Sequence, residues 1–448
     1  MGARTHRSKI QQIGLPLILS DPPCHCIAQA QAGTGKTGTF VLSALGRITA
    51  DVHASQPQAV ILAGTQELVT QIAEVVAVLG KDMGVRPRRV MAAEQRSSDG
   101  GGRGRGRGSS SGGGGGRPTA HKADWAMAPG EDFAEQVVVG TPGKVTFMMR
   151  DFERGRKPYI DPREVRVLVL DEADNLVSMP PNGHGKDCLE VRDYVVRARA
   201  KKPLQLLLFS ATYADEARSL ARSFVGGDYK MFHEITLRRE DLTLDKVDNF
   251  YVLVGSENDS EQEIATAKQE AVCQIWESLA AENDMAGQSV LFVASRARAQ
   301  QLAEFLRERK FEVGQIHGDM DKMEREAVMA EFKENKRPAL VATNVLSRGI
   351  DNPNVTLVIN IDLPTHGRTI DPDPETFVHR IGRSGRWTRR GASISLVSVS
   401  RNSRDKRVMA AIERELFANE SVDRPLICVP EPMQVGETLK RRRADKKA

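Results

Sequence analysis

The 448-residue sequence predicts an α/β protein of two tandem domains, each a mostly parallel sheet flanked by helices. Three observations lead there. Short β-branched runs recur in two sets: AVILAG, QVVVG, RVLVL and QLLLF in the first half, then FYVLV, SVLFV, ALVAT, VTLVIN and SISLV in the second. Amphipathic helical stretches, such as ARAQQLAEFLRERK and KMEREAVMAEFKEN, separate many of them. Only the first set is preceded by a segment with the spacing of a phosphate-binding loop, AQAGTGKTGTF from Ala30 to Phe40.

That loop has alanine where the usual G-x-x-x-x-G-K-[ST] pattern has its first glycine. Its other positions suit phosphate. Gly33 and Gly35, with Ala32 and Thr34 between and beside them, allow a tight turn whose backbone N–H groups point at anionic oxygens. Lys36 can reach the outer phosphates, and the Thr37 hydroxyl can bind Mg²⁺. A strand, CIAQA, should precede the loop and a helix, TGTFVLSALGRI, should follow. The alternative is a glycine turn capping a helix. Further on, VLVLDEADNL ends an apolar strand in Asp171-Glu172. In a parallel sheet ligands gather at the carboxyl ends of strands, so Asp171 is placed to hold the Mg²⁺ begun by Thr37, and Glu172 to polarise an attacking water. An acidic pair at a helix N-terminus is the alternative.

The spacing divides the chain into a first domain over residues 1–240, a polar linker over 241–248, a second domain over 249–430 and a basic tail, 431–448, expected to fray. Ser97 to Pro118, SSDGGGRGRGRGSSSGGGGGRP, has no residues with which to build a core and reads as a disordered surface insertion in the first domain. Its arginines, Arg103, Arg105 and Arg107, could touch RNA phosphates or merely keep a spacer solvated. The tail KRRRADKKA could bind nucleic acid, act as an import signal or only solubilise.

Composition narrows the function classes. Charged residues make up 27% and hydrophobic residues 40%, and no apolar run approaches the ~18 residues of a membrane span, so no membrane partner is expected. Residues 1–10 contain no apolar signal core, so a secretory signal is not expected. Five scattered cysteines without paired CxxC spacing argue against disulfides and zinc, and for a reduced compartment. The net charge of +5 permits a polyanionic partner without demanding one.

Asp171-Glu172-Ala173-Asp174 then spells the signature of the DEAD-box RNA helicases, and other segments resemble that family's motifs in order. SKIQQ, with Gln11, resembles the adenine-reading Q motif. Alanine at position 30 is the family's habit. GTQELV at 64–69 resembles its PTRELA segment, with Gly64 and Gln66 in place of proline and arginine. GTPGK at 140–144, Ser210-Ala211-Thr212, FVASR, TNVLSRGID and HRIGRSGR follow. The segments YIDPREVRVLVLDEADN, LRREDLTLDKVDNFYVLV and DLPTHGRTIDPDPETFVHRIGRSGRW further resemble the helicases of nuclear-pore mRNA export.

The resemblance implies two RecA-like domains and an RNA-stimulated ATPase that separates short RNA duplexes locally and remodels RNA–protein complexes. ATP and Mg²⁺ are the implied cofactors. Gln11 would read adenine; Lys36 and Thr37 would hold phosphates and metal; Asp171 and Glu172 would serve metal and water. Ser210 and Thr212 would couple the ATP site to closure on RNA. From the second domain Gly349 and Asp351 would approach the nucleotide, Arg383 and Arg386 would act as arginine fingers, and His379 would connect the domains. RNA contacts would come from Thr65, Glu67, Thr141, Gly143, Arg296, Arg325 and Thr343. The implied partners are single-stranded RNA or mRNA, short duplex RNA and nuclear-pore-associated activators. A monomer in cytoplasm and nucleus is expected. The family's adenine-stacking aromatic lies farther ahead of Gln11 than this sequence reaches, so weakened adenine selectivity is expected. A general cytoplasmic helicase, an RNA clamp with little unwinding, and a DNA translocase on the same fold are the alternatives; the DEAD tetrad and Gln11 argue against the last.

Overall fold

The computed structural model describes residues 7–30, 34–49, 56–91, 135–178, 184–199, 203–211, 215–226, 232–236, 247–282, 287–344, 352–366, 371–385, 390–417 and 426–445. The Gly/Arg insertion at 97–118 lies outside them. Two sheets, each of seven strands among these residues, lie in sequence. The first contains β1 His25–Gln29, β2 Ala59–Leu62, β3 Pro87–Val90, β4 Val137–Gly140, β5 Val167–Asp171, β6 Gln205–Ser210 and β7 Phe232–Thr236, in the order β3-β4-β2-β5-β6-β1-β7. The second contains β8 Val247–Val254, β9 Gln288–Val293, β10 Val313–Ile316, β11 Ala339–Thr343, β12 Val355–Asn360, β13 Gly391–Ser398 and β14 Ile427–Val429, in the order β10-β11-β9-β12-β13-β8-β14. Adding seven to each label of the first sheet gives the second, so the two domains repeat one topology. The named strands pair in parallel throughout.

Burial explains why the strands read as continuous apolar runs. Successive residues alternate between two cores, one on each face of the first sheet. Val60, Leu62, Leu168, Leu170, Leu206 and Leu208 enter one, and Ala59, Ile61, Val167, Val169, Leu207 and Phe209 enter the other. With helices on both faces, neither side of the sheet is left for polar residues.

The first-domain helices are α1 Lys9–Ile18, α2 Lys36–Arg47, α3 Gln66–Leu79, α4 Pro142–Met149, α5 Ala173–Val177, α6 Gly185–Arg199 and α7 Asp215–Val225. In the second domain they are α8 Glu261–Ala281, α9 Arg296–Glu308, α10 Lys322–Lys333, α11 Pro374–Ile381, α12 Asp405–Phe417 and α13 Val435–Asp445. The parallel connectivity places the starts of α2, α3, α4, α5, α9 and α11 after carboxyl ends of strands, where helix N-termini can meet anions.

Two expected boundaries differ. β8 begins at Val247, so the last two residues of the expected linker belong to the second sheet. The expected frayed tail contains α13, which packs on the second core through the fully buried Val435 and Leu439. Its backbone is also tied down. Gly436 N donates to Ser278 Oγ at 2.9 Å, and Arg442 pairs with the buried Asp248 at 3.1 Å. The charge of this segment hid two apolar residues at helical i,i+4 spacing.

Candidate active site at the domain interface

The loop after β1 turns into α2 at Gly35, whose φ of 99° lies in the left-handed region. The loop is also close-packed there: a Cβ on Gly35 would lie 2.8 Å from Ser8 Oγ and 3.0 Å from Gln11 Nε2, so those side-chain ends would have to shift. Gln11 therefore lies against the phosphate loop. It is fixed there by a capping box at the start of α1, in which Gln11 Oε1 accepts from Ser8 N at 3.0 Å. Lys36 Nζ donates to Ala30 O across the loop. Thr37 sits in the first turn of α2, and Thr34 is buried beside it.

Asp171 ends β5 and is buried, with one carboxylate oxygen accepting from Glu172 N at 3.0 Å. Burial raises its pKa to about 6, against the opposing pull of Lys36. Burial likewise lowers Lys36 to about 8, against Asp171, Glu172 and Asp174. Asp171 is buried and Lys36 partly so, and each faces the other's charge. Glu172 adopts φ 51° and ψ 50°, a left-handed conformation uncommon outside glycine, as it leads into α5.

Ser210 ends β6, buried, and its hydroxyl donates to Asp174 Oδ1. Asp174 in turn meets the second domain. Side-chain atoms of Asp174, Glu375 and His379 lie within 4.8 Å of one another, joining α5 to α11. One turn along, Arg383 is buried and its Nε donates to His379 O at 2.9 Å. Its guanidinium is close enough to act on the charge of both Lys36 and Asp171.

A second cross-domain contact joins two residues expected at RNA. Arg325 on α10 pairs with Glu67 on α3 at 2.8 Å and also donates to Met320 O at 3.0 Å. The other expected RNA residues stand at carboxyl ends of strands or just beyond. Thr65 caps α3, accepting from Leu68 N at 3.3 Å; Thr141 and the exposed Gly143 begin α4; Thr343 ends β11; Arg296 begins α9 and pairs with Asp319 at 2.6 Å. Ala32, Gly33, Thr212, Gly349, Asp351 and Arg386 lie outside the described residues.

Sequence reasoning assigned no role to Asp174, Glu375 or Arg380. Arg380, fully buried, donates to Asn344 Oδ1, to Asn360 Oδ1 at 3.1 Å and to Asp362 O at 2.7 Å. It thereby ties α11 to the ends of β11 and β12. Asp362 also pairs with Arg298 at 2.6 Å and with Lys268 at 3.5 Å. The available signal was a third arginine inside HRIGRSGR, but only the fold distinguishes a buried brace from a finger.

The set fits a nucleoside triphosphate with a hard cation. It joins an oxygen-only donor pair, Asp171 and Thr37, to a lysine and an arginine, around a loop whose left-handed turn at Gly35 favours glycine.

Comparison with known proteins agrees. The DEAD/DEAH box helicase family matches residues 8–105 and 107–220, and the helicase conserved C-terminal domain matches residues 267–388. The ATP-dependent RNA helicase dbp5 of Sclerotinia sclerotiorum is 35% identical over 391 residues, 87% of this chain and 70% of that protein. The structure of S. cerevisiae Dbp5 bound to RNA and ADP BeF3 superposes with a TM-score of 0.74 at 29% identity, covering 98% of this chain and 93% of that one. A point variant of S. cerevisiae Dbp5 bound to Nup159, a Gle1 variant, IP6 and ADP gives 0.59 at 28% identity, covering 98% and 96%. The chain belongs to the DEAD-box family of ATP-dependent RNA helicases.

Proposed function

We propose that this chain is an RNA-stimulated ATPase that uses Mg²⁺·ATP to separate short RNA duplexes and strip proteins from RNA during mRNA export. The observation that carries the reading is the division of charge at the site: Lys36, Asp171 and Glu172 come from one domain, and Arg383 from the other. A site so divided is complete only when the domains are closed. Turnover is then tied to whatever favours closure, and RNA lying across both domains would do so.

Gln11 holds the adenine edge, and the α2 N-terminus with Lys36 cradles the phosphates. Thr37 and Asp171 would hold Mg²⁺, which when bound offsets phosphate charge. Glu172 orients the attacking water and accepts its proton. Arg383, with Arg386, meets charge developing on the γ-phosphoryl oxygens. Asp174 links Ser210 to His379, so the DEAD turn senses the second domain directly. Thr65, Thr141, Gly143, Arg296 and Thr343 hold the RNA backbone along the strand ends, and Glu67 and Arg325 lock the two halves of that track. A strand bent along the track cannot keep A-form pairing, so a short duplex parts locally.

The Dbp5 complex with Nup159 and Gle1 supports a place at the nuclear pore with pore-associated activators. Within the same proposal the protein is a monomer shared between cytoplasm and nucleus. Purified chain should hydrolyse ATP with strong stimulation by single-stranded RNA and should separate a short duplex. Absence of RNA stimulation would overturn the enzyme reading. Stimulation by DNA equal to that by RNA would overturn the substrate. In its native cells, depletion should make polyadenylated RNA accumulate in nuclei; unchanged distribution would reject the export role.

A further inference from the structure

We propose that Lys268, a buried lysine on α8, is a positioning residue for Arg383: through Asp362 and Arg380 it holds the last turn of α11 on the strand ends, and so sets where the arginine meets the γ-phosphoryl group. This rests on the ATPase reading above and extends it to a helix that touches neither nucleotide nor RNA.

Among the residues that α8 buries, Ile264, Ala271, Val272, Ile275 and Leu279 are apolar, and Lys268 alone is charged. Positions 264, 268 and 272 keep i,i+4 spacing, so the lysine occupies a place in the apolar stripe. Its side chain is 4% exposed, and its ammonium lies between two carboxylates, Asp405 at 2.8 Å and Asp362 at 3.5 Å. A desolvated ion pair gains little over well-packed apolar side chains, so stability alone gives no reason for a lysine here. Both carboxylates are anchored at strand ends. Asp405 opens α12 and accepts from Ser398 N, at the end of β13, at 3.1 Å. Asp362 follows β12; it accepts from Ala294 N at 2.9 Å and pairs with Arg298 at 2.6 Å. Burial pushes the Asp362 carboxyl up, yet Lys268, then Arg298, the Ala294 N–H and Arg380, together hold it below the usual range.

Asp362 passes this restraint on through its main chain. Its carbonyl accepts from Arg380 Nη1 at 2.7 Å, and the same guanidinium holds Asn360 and Asn344. Arg383 hangs from that helix end: its N donates to Arg380 O at 3.0 Å, and its Nε donates to His379 O at 2.9 Å. The other end of α11 has its own anchor, Asp373, which caps it by accepting from Thr376 N at 2.8 Å. The last turn is therefore held by Arg380, and Arg380 by an aspartate whose buried charge Lys268 balances. A misplacement of about 1 Å at a reacting group can cost roughly 10² in rate, so a small shift of this turn is enough to weaken the finger.

The test uses the full chain and single-turnover ATP hydrolysis with saturating single-stranded RNA, below the unfolding midpoint of every variant. Lys268→Met keeps the length of the side chain and removes its charge. Hydrolysis should slow roughly tenfold or more. Affinity for ADP with aluminium fluoride, a mimic of the phosphoryl group in transfer, should fall by the same factor, whereas ATP affinity without RNA, set by the first domain, should stay at the wild-type value. In an Arg383→Ala background the same substitution should cost nothing further, because the group it positions is gone. A merely structural lysine would lower the unfolding midpoint and multiply the Arg383→Ala loss by a loss of its own. Asp362→Asn keeps the shape and the carbonyl that Arg380 holds, and should reproduce the whole pattern if Lys268→Met does not fold. A wild-type rate in whichever variant folds, or losses that multiply with Arg383→Ala, would overturn the positioning role and leave the ATPase intact. A wild-type chain without RNA-stimulated hydrolysis would overturn the ATPase reading and this role together.

Discussion

At the residue scale the DEAD turn separates two roles that its sequence presents as one acidic run. Asp171 is buried beside Lys36, whereas Glu172 leaves the strand in a left-handed turn. Glu172→Gln preserves shape and the Asp171 site while removing the base. ATP hydrolysis should fall by about 10²-fold or more with nucleotide affinity retained, measured by single-turnover hydrolysis beside nucleotide binding. The buried Asp171 gives a pH signature. Its pKa, raised to about 6, means that the carboxylate loses its charge as pH falls through 6, not through the usual value near 4. Because kcat/KM reports the free enzyme, its acid limb should fall about tenfold per pH unit below 6. A limb lying below pH 5 would show that Asp171 keeps its charge more readily than its burial implies. The sign for stability is opposite. The folded chain holds that proton more tightly than the unfolded chain does, so Asp171 costs the empty fold stability as pH rises from about 4 through about 6.

At the scale of elements, α13 makes the clearest prediction. Leu439 is fully buried in the second core, and Gly436 lies so close to α8 that a Cβ would come 2.3 Å from Ser278 O. Leu439→Ala should cost about 2–5 kcal/mol in denaturant unfolding of the second domain, whereas a frayed tail would show no change. This helix also shows what the sequence made legible. Strands buried on both faces announced themselves as apolar runs, and so β2, β4, β5 and β6 were readable, with β9, β11, β12 and β13 in the second domain. Four strands were not singled out: β3, β7, β10 and β14. They are the two edges of each sheet. An edge strand shows one side to solvent, so PRRV and FHEIT carry charge where an inner strand carries valine. The phosphate loop and the DEAD turn were legible because each is chemistry compressed into a few consecutive residues. Asp174, Glu375 and Arg380 were not, because their roles arise between separate elements: Asp174 and Glu375 meet only where the two domains do, and Arg380 braces strand ends within the second domain, and spacing along the chain carries no trace of either.

At the scale of the whole molecule, the question is what holds the two domains closed. Among the described residues two contacts across the domains bear on this: the Asp174–Glu375–His379 cluster at the ATP site, and the Glu67–Arg325 pair on the side expected to carry RNA. Family resemblance alone makes Glu67 and Arg325 contacts to RNA, but the geometry gives each the other as partner, with both side chains largely enclosed. The two roles predict different outcomes. As a latch, the pair depends on opposite charge but not on which domain holds which sign. Glu67→Arg and Arg325→Glu should each reduce RNA-stimulated kcat/KM by roughly tenfold, about 1–2 kcal/mol, because each places like charges face to face. The double exchange restores an opposite pair and should recover much of the loss, giving a coupling energy well outside additivity. As phosphate contacts the residues would behave otherwise. An arginine moved from α10 to α3 would face a different part of the strand, and the double variant would be at least as weak as the worse single one. Distance between labels on the two domains, read with RNA and a non-hydrolysable ATP analogue, would locate the defect. Under the latch the single variants should populate the open form and the double variant the closed one. Equal closure in all four proteins, with turnover still lost in the double variant, would instead assign Arg325 to the RNA strand.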